Sequence, residues 1–163
     1  MESKAKPAMS FSSVLPVTRE SLGELLTMNG VNRELGPLIR MTAPPTWQAK
    51  QISEWSAQQP LFASWIFVLG ILPIDRHSFY FEAIGEWSFS EASSSWTNRV
   101  WRHRRQITEA DSSTVVEDQV CFEPRLRVFQ PVLARIYKLV FEHRHRRLVR
   151  LYNQHETTNE PTA

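Results

Sequence analysis

Through the middle of the chain, apolar and polar side chains alternate with a period of two. Leu61, Ala63, Trp65, Phe67, Leu69 and Ile71 fall on one face of a strand, and Phe62, Ser64, Ile66 and Val68 on the other. After a turn expected at Pro73-Ile74-Asp75, His77, Phe79, Phe81 and Ala83 share a face opposite Ser78, Tyr80 and Glu82. Gly85-Glu86 turns the chain again, and Trp87 and Phe89 then alternate with Ser88 and Ser90. A serine-rich turn is expected over residues 93–95. Beyond it, Trp101, His103, Arg105 and Ile107 lie opposite Val100, Arg102, Arg104 and Gln106. A polar turn at residues 111–113 leads to Val116, Asp118, Val120 and Phe122 on one face. Short polar connections between successive strands predict an antiparallel meander, because parallel pairing needs long crossovers.

The period changes at both ends. Residues 11–17 read as a short strand disturbed by Pro16. Thr18 then caps a short helix with the stripe Leu22, Leu25 and Leu26, expected to end at Asn29-Gly30. A second, irregular helix is expected over residues 32–39, which contain Gly36-Pro37. Residues 42–59 hold Pro44-Pro45 and two Trp without a clear period, and read as a strand edge and loop. After Pro131 the spacing becomes helical. Val132, Leu133, Ile136, Tyr137, Val140 and Phe141 form a stripe that Leu148 and Tyr152 continue, so one long helix is expected over residues 128–152. Arg135, Lys138, Glu142 and His145 lie mostly off it. The fold class is α+β: a curved antiparallel sheet of about seven strands on a long C-terminal helix, with two short helices after the first strand. Residues 1–10 and 154–163 are expected to be flexible ends, leaving residues 11–153 as a single domain.

A length of 163 residues suits one core, and 42% hydrophobic content argues against wholesale disorder. Six Trp and nine Phe are enough to fill that core or to line a cavity that a ligand completes. A lone cysteine, Cys121, excludes an intrachain disulfide and a multi-cysteine metal site, and is expected to be a structural thiol. The N-terminus has no continuous apolar segment of the secretory kind. The longest apolar run, residues 61–73, falls short of the ~20 residues a membrane helix needs, so a cytoplasmic location is expected. Net charge is +2. Residues 97–150 nevertheless carry eleven Arg and one Lys against four Glu and two Asp. A solvated face with internal ion pairs accounts for this excess, with nucleic acid or an anionic surface as the alternative. The tract at residues 143–147 suits a helix C-terminus and also resembles an anion patch. Nucleic acid is not the expected partner, and oligomeric state is left open.

Some inward strand positions are charged. His77, Glu91, His103, Arg105 and Asp118 share faces with Phe79, Trp87, Trp101, Val120 and Phe122. Buried charge must be paired, reach water or meet a ligand. Three outcomes are open: a structural network, polar anchors for a ligand in an apolar cavity, or acid–base groups using His103 with Asp118 or Glu91. No catalytic residue is assigned. The candidate ligand-binding residues are Trp65, Phe67, Phe79, Phe81, Trp101, His103, Arg105, Asp118, Phe122, Ile136 and Val140. The His and Asp spacings are not of metal-site type, the five Gly form no phosphate loop, and residues 93–95 lack a nucleophile-elbow context. No metal or cofactor is expected.

The element order, a strand, two short helices, six further strands and a long helix, resembles the helix-grip fold of the START/Bet v1-like superfamily, also called SRPBCC or polyketide cyclase-like proteins. Leu72-Pro73-Ile74-Asp75-Arg76-His77, Trp101-Arg102-His103-Arg104-Arg105 and Val116-Glu117-Asp118-Gln119-Val120 are similar to the pattern of one bacterial branch. So is Val140-Phe141-Glu142-His143-Arg144-His145-Arg146-Arg147-Leu148. In that branch a Trp-x-His strand, an Asp-x-Val strand and a helix ending in Phe-x-x-Arg-His-type sequence recur in this order. The resemblance covers residues 11–152. It implies an apolar cavity between sheet and helix that binds a small hydrophobic molecule, often a lipid, sterol or polyketide. A minority of the superfamily are cyclases, aromatases or hydrolases, and no residue set here matches a catalytic subgroup.

Overall fold

Period-two segments become strands, and their short connections make sequence neighbours antiparallel partners. In the computed structural model, which describes residues 9–153, these strands are β1 (Met9–Leu15), β2 (Ile39–Met41), β3 (Pro60–Val68), β4 (Leu72–Ile84), β5 (Ser88–Ser95), β6 (Asn98–Ala110) and β7 (Ser113–Pro124). They form one sheet in the order β1-β7-β6-β5-β4-β3-β2. A 3-10 segment, Arg19–Leu26, and helix α1 (Met28–Leu35) separate β1 from β2. Helix α2 (Pro45–Gln48) and the short turn Ile52–Glu54 separate β2 from β3, and helix α3 (Gln130–Asn153) follows β7. The sheet curls around α3, which makes this a helix-grip α+β fold. No helix among the described residues is long and apolar enough to cross a membrane.

The core lies where the second half of α3 meets the sheet and the Arg19–Leu26 segment. Leu148 and Tyr152 pack there with Leu15, Leu22, Ile107 and Val116. The two halves of α3 differ sharply. From Phe141 onward, Phe141, Arg144, His145, Leu148 and Tyr152 are buried, whereas no residue from Pro131 to Val140 is. Val132 and Leu139 are 54% and 60% exposed. The long apolar stripe therefore anchors the helix mainly through its C-terminal half.

Several expected boundaries move, each for a local reason. The first hairpin turns at Leu69-Gly70, where Gly70 supplies a φ of +72°, so Pro73-Ile74-Asp75 lies within β4. Residues 93–95 end β5 instead of turning. The Tyr80 N–H donates to Ser93 Oγ (3.0 Å), and Ser95 Oγ donates to Asp75 Oδ2 (2.7 Å), so the serines hold strands together. Asn29-Gly30 does not end a helix but lies inside α1. A Cβ at Gly30 would stand 1.9 Å from the Glu24 carbonyl oxygen, so glycine permits close packing there. The second expected helix stops at Leu35, and Ile39 opens β2, a three-residue edge strand pairing with β3. The end segments expected to be flexible fall outside the described residues, except Met9 and Ser10, which open β1 opposite Val120 and Gln119.

Candidate functional site

Because the first half of α3 stands off the sheet, the space beneath it is left as a cavity of about 200 Å³. Leu133, Ile136, Tyr137 and Val140 of α3 form its roof. One wall is apolar and comes from Met28, Val31 and Leu35 of α1, together with Met41, Trp55 and Ile66. The sheet side carries a mixed row, including Asp75, His77, Phe79 and Phe81 of β4, Glu91 of β5, and Asn98, Trp101 and His103 of β6. Ile74 and Ile136 line the cavity and are also 48% and 44% exposed, which marks its mouth. The β3–β4 turn, the β5–β6 turn and the β7–α3 connection all lie at that end. They, with Leu72 at the start of β4, carry further exposed apolar side chains: Leu69, Ile71, Trp96, Val128 and Phe129.

Of the sequence candidates, Phe79, Phe81, Trp101, His103, Ile136 and Val140 line this cavity, whereas Trp65, Phe67, Arg105, Asp118 and Phe122 are not among its lining residues. Trp65 and Phe67 were expected on the inward face of β3. That face instead carries Ser64, which is fully buried, and Ile66. Trp65 packs edge-on against Trp96 at 4.9 Å, with the Arg76 guanidinium 5.6 Å over its ring. Both faces of β3 are apolar, so alternation gives no sign of which one points inward. Phe122 packs edge-on against Tyr137 at 4.8 Å.

Arg105 and Asp118 form the centre of a buried charge network. Arg105 Nε donates to Asp118 Oδ1 (2.9 Å) and Nη2 to Asp118 Oδ2 (2.6 Å), while Nη1 and Nη2 donate to Glu34 Oε1 and Oε2 (2.8 and 2.9 Å). Arg144 Nε also donates to Glu34 Oε2. His103 Nε2 meets Asp118 Oδ1 at 2.7 Å, and His145 Nε2 meets Asp118 Oδ2 at 2.9 Å. On the cavity side, His103 Nδ1 lies 3.7 Å from Glu91 Oε2, and His77 Nε2 lies 2.6 Å from Glu91 Oε1. Three carboxylates, two guanidiniums and three imidazoles thus meet in one buried cluster.

Burial alone would raise each of these carboxyl pKa values, but paired cations outweigh it. The charges of Arg105 and Arg144 hold Glu34 below its usual range, and Arg105, followed by His103, holds Asp118 well below it. For Glu91, burial is outweighed by the charge of His77 and by hydrogen bonds from His103 and His77, giving a pKa of about 2. Burial would lower Arg105, yet Asp118 and Glu34 raise it and keep it charged. Among the described residues, no group of three or more His, Cys, Asp or Glu side chains is arranged to hold a metal ion.

The basic tract at residues 143–147 was expected at the surface, and much of it faces inward. Arg144 and His145 are buried in the network, His143 Nε2 lies 2.9 Å from the Gly36 carbonyl oxygen, and Arg147 Nε donates to the Arg33 carbonyl oxygen. The spacing held a signal for this. Residues 141, 144, 145 and 148 follow the i, i+3, i+4, i+7 rule of one helix face. Glu34, in contrast, carries no such mark. A last polar pair lies near the mouth: Asn98 Nδ2 donates to the Tyr137 hydroxyl oxygen (2.5 Å), and Asn98 Oδ1 is buried without a partner among the described residues.

Solved structures share this architecture at low sequence identity. A protein from Chromobacterium violaceum superposes with a TM-score of 0.65 at 6% identity, covering 90% of this chain and 98% of its own. A START superfamily protein from Mycobacterium smegmatis gives 0.60 at 11% identity, covering 90% and 97%. Ara h 8.0201 gives 0.50 at 14% identity, covering 86% and 96%. The fold is START/Bet v1-like. No curated protein matches the sequence. A family described as a domain of unknown function, DUF8410, matches residues 12–152.

Proposed function

The chain belongs to the DUF8410 family, and for this member we propose that the cavity under α3 binds a small hydrophobic molecule, for carriage or sequestration. The observation that carries this reading is the half-anchored helix. Residues 131–140 of the helix roof an apolar space while none of them is itself buried. At about 200 Å³ the space is below the ~300–1,000 Å³ usual for drug-sized ligands, which suits a molecule of one or two rings. The exposed apolar side chains around the mouth give such a molecule a route in from water. Native mass spectrometry of protein purified from its host is expected to reveal a co-purifying hydrophobic ligand. Val140→Trp fills the roof where packing is loose. It should weaken binding of an apolar probe by tenfold or more, about 1.4 kcal/mol, and leave the far-UV spectrum unchanged. Unaltered probe binding in that variant would move the site elsewhere.

A second reading, acid–base chemistry of the hydrolase or cyclase type by His103 with Asp118 or Glu91, draws on His103 lining the cavity 2.7 Å from Asp118. Against it, each ring nitrogen of His103 already faces a carboxylate oxygen, which leaves no lone pair directed at a substrate. Glu91, with its pKa near 2, is a weak base. Wild-type protein and His103→Gln are therefore expected to leave the background hydrolysis of 2-naphthyl acetate equally unchanged. Turnover by wild type that His103→Gln removes would reverse the order of the two readings.

A further inference from the structure

We propose that the occupant of this cavity carries a hydroxyl group, as an alcohol or phenol, seated between the Asn98 side-chain amide and the Tyr137 hydroxyl. The inference deepens, and rests on, the reading of the cavity as a binding site. Asn98 is 2% exposed and lines the cavity, and its Oδ1 has no hydrogen-bond partner among the described residues. A buried amide oxygen without a partner carries a desolvation cost, so such atoms in folded proteins generally meet a donor from solvent or ligand.

The surrounding polar groups are already engaged. The Asn98 N–H donates to Ser95 Oγ (3.0 Å), which donates to Asp75 Oδ2 (2.7 Å). Asp75 Oδ1 accepts the Arg76 and Thr97 N–H groups. None of them is left to serve Oδ1. Tyr137 is held as a neutral phenol: burial raises its pKa and the Asp75 charge adds to this, against the opposing hydrogen bond from Asn98. Its oxygen accepts from Asn98 Nδ2, and its own proton remains to be donated. The site thus offers one acceptor and one donor side by side. Exchanging the amide's oxygen and nitrogen would still leave one of its atoms unpaired. A hydroxyl group donates and accepts at a single atom and fits either arrangement. A carboxylate does not fit, because the Asp75 charge stands behind Asn98.

Trp55 Nε1 also has no hydrogen-bond partner among the described residues. Its indole makes T-shaped contacts with Phe62, Phe79 and Phe81, however, and aromatic rings can receive an N–H. That aromatic region walls the far part of the cavity. The hydroxyl end of the ligand therefore lies near the mouth, and its apolar end among Trp55, Phe79 and Phe81.

The test is calorimetric titration of the full chain with naphthalene, 2-naphthol and 2-methoxynaphthalene. All three should bind, and 2-naphthol should bind about tenfold or more tighter than the other two, although its hydroxyl makes it the most water-compatible of the set. Asn98→Leu should erase that preference, so that within the variant 2-naphthol binds no tighter than naphthalene. Tyr137→Phe, which changes no shape, should reduce the preference and carries the test if Asn98→Leu does not fold. Equal affinities for the three in wild type would overturn the hydroxyl site and leave the cavity reading standing, with an ordered water serving Asn98. Binding of none of them would overturn both.

Discussion

Replacing Arg105 with Met is expected to lower stability by about 3–5 kcal/mol, a large share of the about 5–15 kcal/mol that holds a typical domain together. Arg105 is fully buried and joins elements far apart in sequence, donating twice to Glu34 of α1 and twice to Asp118 of β7. A methionine of similar length fills the space but supplies no donor. Glu34 would keep only Arg144, and Asp118 only His103 and His145, so two buried carboxylates would each lose both bonds of a forked pair. The cost comes from charge left behind in a low-dielectric interior more than from the contact removed. Arg105→Lys should fall between the two, because an ammonium keeps the charge but cannot fork to two carboxylates at once. Urea titration reads the effect as a lower midpoint at unchanged slope. A variant as stable as wild type would mean that the network contributes nothing to holding α1 and α3 on the sheet.

Some of this network was legible in the sequence and some could not be. The polar turn near residues 111–113 sets the β6–β7 register. With Ala110 opposite Ser113, Arg105 falls opposite Asp118 and His103 opposite Val120, one step along the same face. The His103–Asp118 contact follows from that hairpin alone. Glu91 opposite His103 depends on where the β5–β6 turn falls, and reading residues 93–95 as the turn hid it. The partner of Arg105 on α1 had no local signature. Glu34 lies 71 residues away, in a helix whose position depends on Gly30 packing against Glu24. Strands β4, β6 and β7 could be oriented from alternation because one face is polar. Strand β3 could not, and its two aromatic candidates, Trp65 and Phe67, turned outward. The cavity between sheet and helix was implied by the resemblance, with Ile136 and Val140 among its expected lining. The unburied state of its roof was not legible, since the stripe on α3 is continuous and nothing in it says that only the second half is buried.

Acid should unfold this protein in a window set by its buried carboxylates. Glu91 moves from 4.5 in the unfolded chain to about 2 when folded, so between those values the unfolded chain takes up a proton that the folded chain refuses. Its stabilisation is complete above pH 4.5 and is lost as pH falls towards 2. Glu34 and Asp118 are lowered as well and act in the same direction. A displacement of that size at Glu91 corresponds to about 3 kcal/mol. Glu91→Gln should therefore be less stable than wild type at pH 7 by roughly this amount, with the difference shrinking to nothing near pH 2. Burial also makes a prediction about salt. Screening acts on exposed pairs and hardly on enclosed ones, so raising ionic strength should leave the gap at pH 7 nearly unchanged. Urea midpoints of both proteins, measured from pH 7 to pH 2.5 at two salt concentrations, separate the possibilities. Parallel curves would remove the His77–Glu91–His103 cluster as the source of acid sensitivity, and a gap that salt closes would place that cluster in contact with water. Converging, salt-insensitive curves would mean that the polar side of the cavity is held rigid by charge, as a fixed wall beneath the loosely anchored helix.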